Sequence, residues 1–70
     1  MVKNLRLLQA RTEKQITQKE MAAAVGLSIR GYQKLETEGI SPTLQTAFHI
    51  ADVLGVQDLR ELWNVEAIQG

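Results

Sequence analysis

The stretch Thr17 to Glu36, TQKEMAAAVGLSIRGYQKLE, constrains this chain more than any other. It predicts two short helices joined at one glycine, with polar side chains aligned on the second. Thr17 and Glu20 stand three apart and form a capping box: the hydroxyl accepts from the Glu20 amide, and the carboxylate reaches back to the Thr17 amide. Met21, Ala22 and Val25 recur at helical spacing and mark an inner face. Gly26 ends the first helix, because the left-handed backbone of a helix stop costs glycine little. Ser28 caps the second helix, which runs to about Glu38. Tyr32 and Leu35 turn inward on it, Leu27 anchors its entry, and Gly39 stops it.

The rest of the chain extends the same pattern. Apolar residues recur at three and four rather than two, so no strand is expected. The first helix is expected over about residues 3–14, with Leu7, Leu8 and Ala10 inward and Lys3, Arg6 and Lys14 outward. Pro42, the only proline, precedes a fourth helix from about Thr43 to Leu54. Leu44, Ala47, Phe48, Ala51 and Leu54 form its expected inner face, and Gly55 closes it. A short fifth helix follows, with Asp58 as cap, Glu61 completing a second capping box, and Leu59, Leu62 and Trp63 apolar. The expectation is an all-α, five-helix domain over residues 1–63. Residues 64–70, NVEAIQG, form a short tail, either frayed or in contact with a second copy.

Seventy residues make one domain with a small core. The chain holds no cysteine, so neither a disulfide nor a thiolate metal site can staple it. His49 is the only histidine and lacks companions for a metal site. No cofactor or metal is expected. No apolar run approaches the length of a membrane span, and Met-Val-Lys starts no apolar signal region; the expected location is the cytoplasm. The zero net charge conceals a split. Residues 1–35 carry seven cations (Lys3, Arg6, Arg11, Lys14, Lys19, Arg30, Lys34) against Glu13 and Glu20, a net of +5. Residues 36–70 carry Arg60 against six carboxylates, a net of −5. The cationic half holds the paired helices, which is the footprint of a polyanion partner; the bland alternative is chance clustering in a short chain.

Two short helices set across a tight turn make a helix-turn-helix. A DNA major groove admits one helix, and a second short helix with a tight turn presents it. Ala22 lets the two approach closely. The outward face of the third helix is then Ile29, Arg30, Gln33, Lys34 and Thr37, a single stripe. Arginine and lysine suit guanine acceptors, glutamine suits adenine, and Ile29 suits a thymine methyl. The bland alternative is a solvated helix face. Gln18, in the first turn of the second helix, suits a phosphate oxygen, as helix-start amides do. Lys14, Lys19, Thr37 and Thr43 are weaker phosphate candidates, the lysines equally explained as solubilising charge and Thr43 as a helix cap. Gly31 lies inside the third helix, where it serves close backbone approach or is merely tolerated.

These residues resemble the Cro and phage-repressor type of helix-turn-helix, the lambda-repressor-like DNA-binding domains (XRE family). The resemblance covers about residues 5–63 and rests on Thr17-Gln18, Glu20-Met21-Ala22, Val25-Gly26-Leu27-Ser28, Tyr32, Leu35-Glu36, Pro42 and Ala51-x-x-Leu54-Gly55-Val56. It implies Gln18 as a phosphate-contacting glutamine and Ile29, Arg30 and Lys34 at base-reading positions, flanked by Ser28 and Gln33. It also implies a structural salt bridge between Arg11 and Glu36, which takes Arg11 out of the DNA contacts. The chain departs from the family in four places. Gln15 stands where glycine is common, Gly31 where a small polar residue is common, and Glu38 where a glycine usually ends the third helix. One extra residue precedes the fifth.

The resulting expectation is a transcription regulator, a repressor that binds a palindromic operator in double-stranded DNA as a dimer. Leu59, Leu62 and Trp63 either close the core or, with Val65 and Ile68 of the tail, form the dimer contact. The alternative is an antitoxin-like protein-binding module with autoregulatory DNA binding. No nucleophile–base pair, metal cluster or phosphate loop supports an enzyme.

Overall fold

The computed structural model describes residues 3–64. Among them lie four α-helices, α1 (Leu5–Glu13), α2 (Gln18–Val25), α3 (Ile29–Thr37) and α4 (Leu44–Leu54), and a final 3-10 turn, Leu59–Glu61. The all-α architecture is as expected. α2 packs against both α3 and α4, α3 against α1, and the 3-10 turn against α4. The core between them is Leu7, Met21, Ala22, Val25, Tyr32, Leu35, Ala47, Ile50, Ala51, Leu54, Leu62 and Trp63.

Side-chain caps set every helix start. The Asn4 carboxamide oxygen accepts from the Leu7 amide at 3.0 Å, so α1 starts at Leu5 and Lys3 lies outside it. The capping box of α2 is complete: the Thr17 hydroxyl accepts from the Glu20 amide at 3.0 Å, and the Glu20 carboxylate from the Thr17 amide at 2.9 Å. Those bonds hold the Glu20 carboxyl below its ordinary value. Ser28 caps α3 and Thr43 caps α4.

Three helix stops share one device. After α1, α2 and α4 a left-handed residue (Gln15, Gly26, Gly55) is followed by an apolar one (Ile16, Leu27, Val56). In each, the apolar residue's amide bonds back to a carbonyl five residues earlier, at 3.3, 2.9 and 2.9 Å, the Schellman closure. All three apolar residues pack onto the core. Gln15 keeps this geometry without being glycine, at φ 59°. A left-handed L-residue costs roughly 1–2 kcal/mol, and glycine returns part of that as chain entropy. Gln15→Gly is therefore expected to stabilise the fold by about 1 kcal/mol, a rise in melting temperature of roughly 4–8 °C. Unchanged or lower melting would show that the strain is offset by the side chain.

Three expectations need correction. On α4 the buried face is Ala47, Ile50, Ala51 and Leu54, while Leu44 and Phe48 are 37% and 52% exposed. Two apolar stripes overlap on this helix, and the buried one joins Ile50 to Ala47, Ala51 and Leu54. At 100° per residue, Phe48 falls on the flank of that face. The fifth element is not an α-helix, and its second capping box does not form. Asp58 accepts from the Arg60 amide and pairs with the Arg60 side chain at 2.8 Å, and the Glu61 amide bonds the Asp58 carbonyl instead. That short-range competition leaves one 3-10 turn, which delivers Leu62 and Trp63 into the core. The dimer contact expected through these two residues is not available in this fold: they are 1% and 5% exposed, and Leu59 packs on the same core. They close the core. Val65 and Ile68 lie outside the described residues.

Candidate nucleic-acid interface

The turn between α2 and α3 is three residues long. Gly26 reverses the chain at φ 75°, Leu27 plugs into the core, and Ser28 opens α3. The Ser28 hydroxyl accepts from the Gly31 amide at 3.0 Å, which leaves its own proton free to donate. Gly31 is not a positive-φ residue. A Cβ placed there would come 3.0 Å from the Ser28 oxygen, so the glycine keeps room for the cap. A methyl group would gain about 1 kcal/mol of helix propensity while crowding that bond.

α3 has two faces. Tyr32, Leu35 and Glu36 are buried. Ile29, Arg30, Lys34 and Thr37 are exposed, Ile29 at 43%. Arg30 and Lys34 are four apart and project side by side. Gln33 belongs to the same stripe by number but is half-buried. The Thr37 hydroxyl donates back to the Gln33 carbonyl at 2.8 Å.

A buried polar network ties α3 to α1 and α2. Arg11 and Glu36 are 8% and 3% exposed. The guanidinium grips the carboxylate with two bonds, Nε to Oε2 at 2.6 Å and Nη2 to Oε1 at 3.1 Å. Its remaining arm, Nη1, donates to the Ile16 carbonyl at 2.6 Å. The salt bridge implied by resemblance is present. The network holds more than the sequence disclosed: the Tyr32 hydroxyl also donates to Glu36 Oε2, and Gln18 Nε2 donates to Oε1 at 3.1 Å. Burial alone would push the Glu36 carboxyl up, but the bonds from Arg11, Tyr32 and Gln18 outweigh it and hold the group below its ordinary value. Burial and the bond to Glu36 raise Tyr32. The hydrogen bond to Glu36 raises Arg11 further. Tyr32 and Glu36, four apart on a helix, were the one signal in the sequence for the hydroxyl's role.

The remaining candidates are scattered over several elements. Lys19 is exposed in the first turn of α2. There the capping box uses the amides of Thr17 and Glu20, so those of Gln18 and Lys19 are what the helix start can offer an anion. The Thr43 hydroxyl accepts from the Thr46 amide at 3.2 Å and lies 3.0 Å from the Thr46 hydroxyl, a capping role. Lys14 leans over the end of α4: a Cβ on Gly55 would come 3.8 Å from its Nζ. Helix C-termini favour cations. No group of three or more metal-ligating side chains occurs among the described residues. No helix among them is long and apolar enough to cross a membrane.

A family model described as Helix-turn-helix matches residues 7–62. Its span runs from the buried Leu7 of α1 to the buried Leu62 and contains the whole polar network. No curated protein and no solved structure matches the chain.

Proposed function

This chain belongs to the helix-turn-helix family of the Cro and phage-repressor type, and on that premise we propose that it is a repressor that binds a palindromic operator as a homodimer, with α3 in the major groove. The observation that carries the reading is the contrast between the two faces of α3. Glu36 and Tyr32 lock one face to the body, while Arg30 and Lys34 stand clear on the other and Ile29 is exposed at the helix start. A helix fixed this firmly along one side presents a preorganised reading surface. Arg30 and Lys34 address guanine acceptors and Ile29 a thymine methyl. Gln18 and Lys19 approach phosphates at the start of α2, and Ser28 flanks the base readers at the start of α3.

Selection of bound sequences from a random DNA pool, at two salt concentrations, tests this reading. The expected result is an enriched motif with two-fold symmetry and half-sites about one DNA turn apart. Weak binding without enrichment, abolished by salt, would instead favour an antitoxin-like module whose main partner is a protein.

Self-association draws support from a different surface than the core-bound Leu62 and Trp63. Leu44 and Phe48 lie one turn apart on α4, and Ile40, 44% exposed, precedes them. A stripe on one helix can meet its own copy across a two-fold axis, where each contact between two different residues occurs twice. Phe48→Ser is expected to keep the helical fold and shift the chain from dimer to monomer in sedimentation equilibrium. A parent chain that stays monomeric at high concentration would sink this surface.

A further inference from the structure

Gln33 does not behave like its neighbours on the outer stripe. Its Nε2 donates to Gln18 Oε1 at 3.1 Å, across the gap between α3 and α2. Gln18 Nε2 in turn donates to Glu36 Oε1 at 3.1 Å, and Glu36 is held by Arg11. The direction of every bond in this relay follows from one charge. An ionised carboxylate only accepts, so Gln18 must show Glu36 its nitrogen and turn its oxygen away. That oxygen then needs a donor, and Gln33 supplies one. The sense of both amides is thus set by the buried ion pair, which spans α1 and α3.

We infer that Gln33 is a positioning residue rather than a base reader: it fixes the Gln18 amide at the start of α2, so that the remaining Gln18 Nε2–H meets a DNA phosphate. The inference rests on the DNA-binding reading above. It assigns sequence discrimination to Ile29, Arg30 and Lys34 and makes Gln18–Gln33 a single unit addressed to the backbone. A neutral amide left to rotate spends affinity on being ordered at the interface; one already bonded on both sides does not.

The test uses the whole chain and two short duplexes, one bearing its selected sequence and one scrambled. Binding and thermal melting are measured for the parent, Gln33→Ala, Gln18→Ala and the double variant. Gln33→Ala is expected to weaken both duplexes by the same factor, on the order of three- to ten-fold, with the selected sequence and the melting temperature unchanged. The double variant should bind no more weakly than Gln18→Ala alone, because the two residues act as one. Gln33→Glu, which lacks the donor, should lose at least as much as the alanine variant. A neutral methylphosphonate walked along the selected duplex should penalise the parent at one position, and that penalty should vanish in both single variants.

Relaxed preference at one base pair in Gln33→Ala would make Gln33 a base reader and overturn the inference. Additive losses would overturn it as well, and so would a fall in melting that accounts for the weaker binding. A parent chain that binds neither duplex would overturn the DNA reading itself. A parent chain that binds while its variants add overturns only the role of Gln33.

Discussion

Arg11→Ala loses about 3–5 kcal/mol of the stability of the domain, the cost of stranding one member of a buried ion pair. Glu36 is 3% exposed and would keep only Tyr32 and Gln18 as donors. The Ile16 carbonyl at the α1 stop would lose its bond to Nη1 as well. A domain of 70 residues at roughly 0.05–0.15 kcal/mol per residue holds about 3.5–10.5 kcal/mol, so the loss is a large fraction of the whole. Urea or thermal unfolding followed by circular dichroism reads it directly. The salt slope of DNA binding, measured where the variant is still folded, should barely move, since a buried guanidinium releases no counterions. Unchanged melting with a clearly shallower slope would make Arg11 a phosphate contact instead.

The pH dependence carries the same signature. The Glu36 carboxyl is lowered in the fold, so its contribution is fully present above the unfolded carboxylate value, about 4.3. That contribution is lost as the pH falls through the lower folded value. Tyr32 is raised, so its contribution holds below about pH 10 and fades above it. Acid unfolding of the parent should therefore set in only below the ordinary carboxylate range. Any Arg11→Ala molecules still folded should lose structure at a higher pH, because removing the guanidinium leaves the desolvation of Glu36 less opposed.

What the sequence disclosed was local. The caps at Thr17 and Ser28 and the stops at Gly26 and Gly55 each involve residues within five positions of one another, and all formed as read. The inner face of α4 was harder, because two apolar stripes share that helix. Which one is buried is decided by how the other elements, α2 and the 3-10 turn among them, pack on α4. The fifth helix shrank to a 3-10 turn through a contest between Arg60 and the Glu61 amide that capping patterns do not resolve. The contacts of longest range left no trace in spacing. Asn4 Nδ2 donates to the Leu62 carbonyl at 2.9 Å, 58 residues away, and the Gln18–Gln33 bond spans 15. Resemblance supplied the Arg11–Glu36 pair, but not the relay hung from it. Gln15 shows the reverse case. It stands where the family commonly has glycine, yet the backbone keeps the left-handed stop and accepts the strain.

Arg30→Ala and Lys34→Ala each weaken binding to the selected DNA by about 1–3 kcal/mol and relax preference at one base pair. Both side chains are exposed and lie on the face of α3 opposite Tyr32 and Glu36. Neither enters the hydrogen-bond network that fixes the helix, so their removal should leave melting unchanged. That separation gives the experiment its power, because a loss of binding at constant melting cannot be assigned to a damaged fold. Lys19→Ala supplies the contrast. It sits at the start of α2, away from the reading stripe, and should weaken all sequences uniformly while lowering the salt slope by about one. Equal losses for selected and random DNA in the Arg30 and Lys34 variants would move both residues to the phosphate backbone. The reading face of α3 would then reduce to Ile29 and Ser28, too little hydrogen-bonding surface to specify a site.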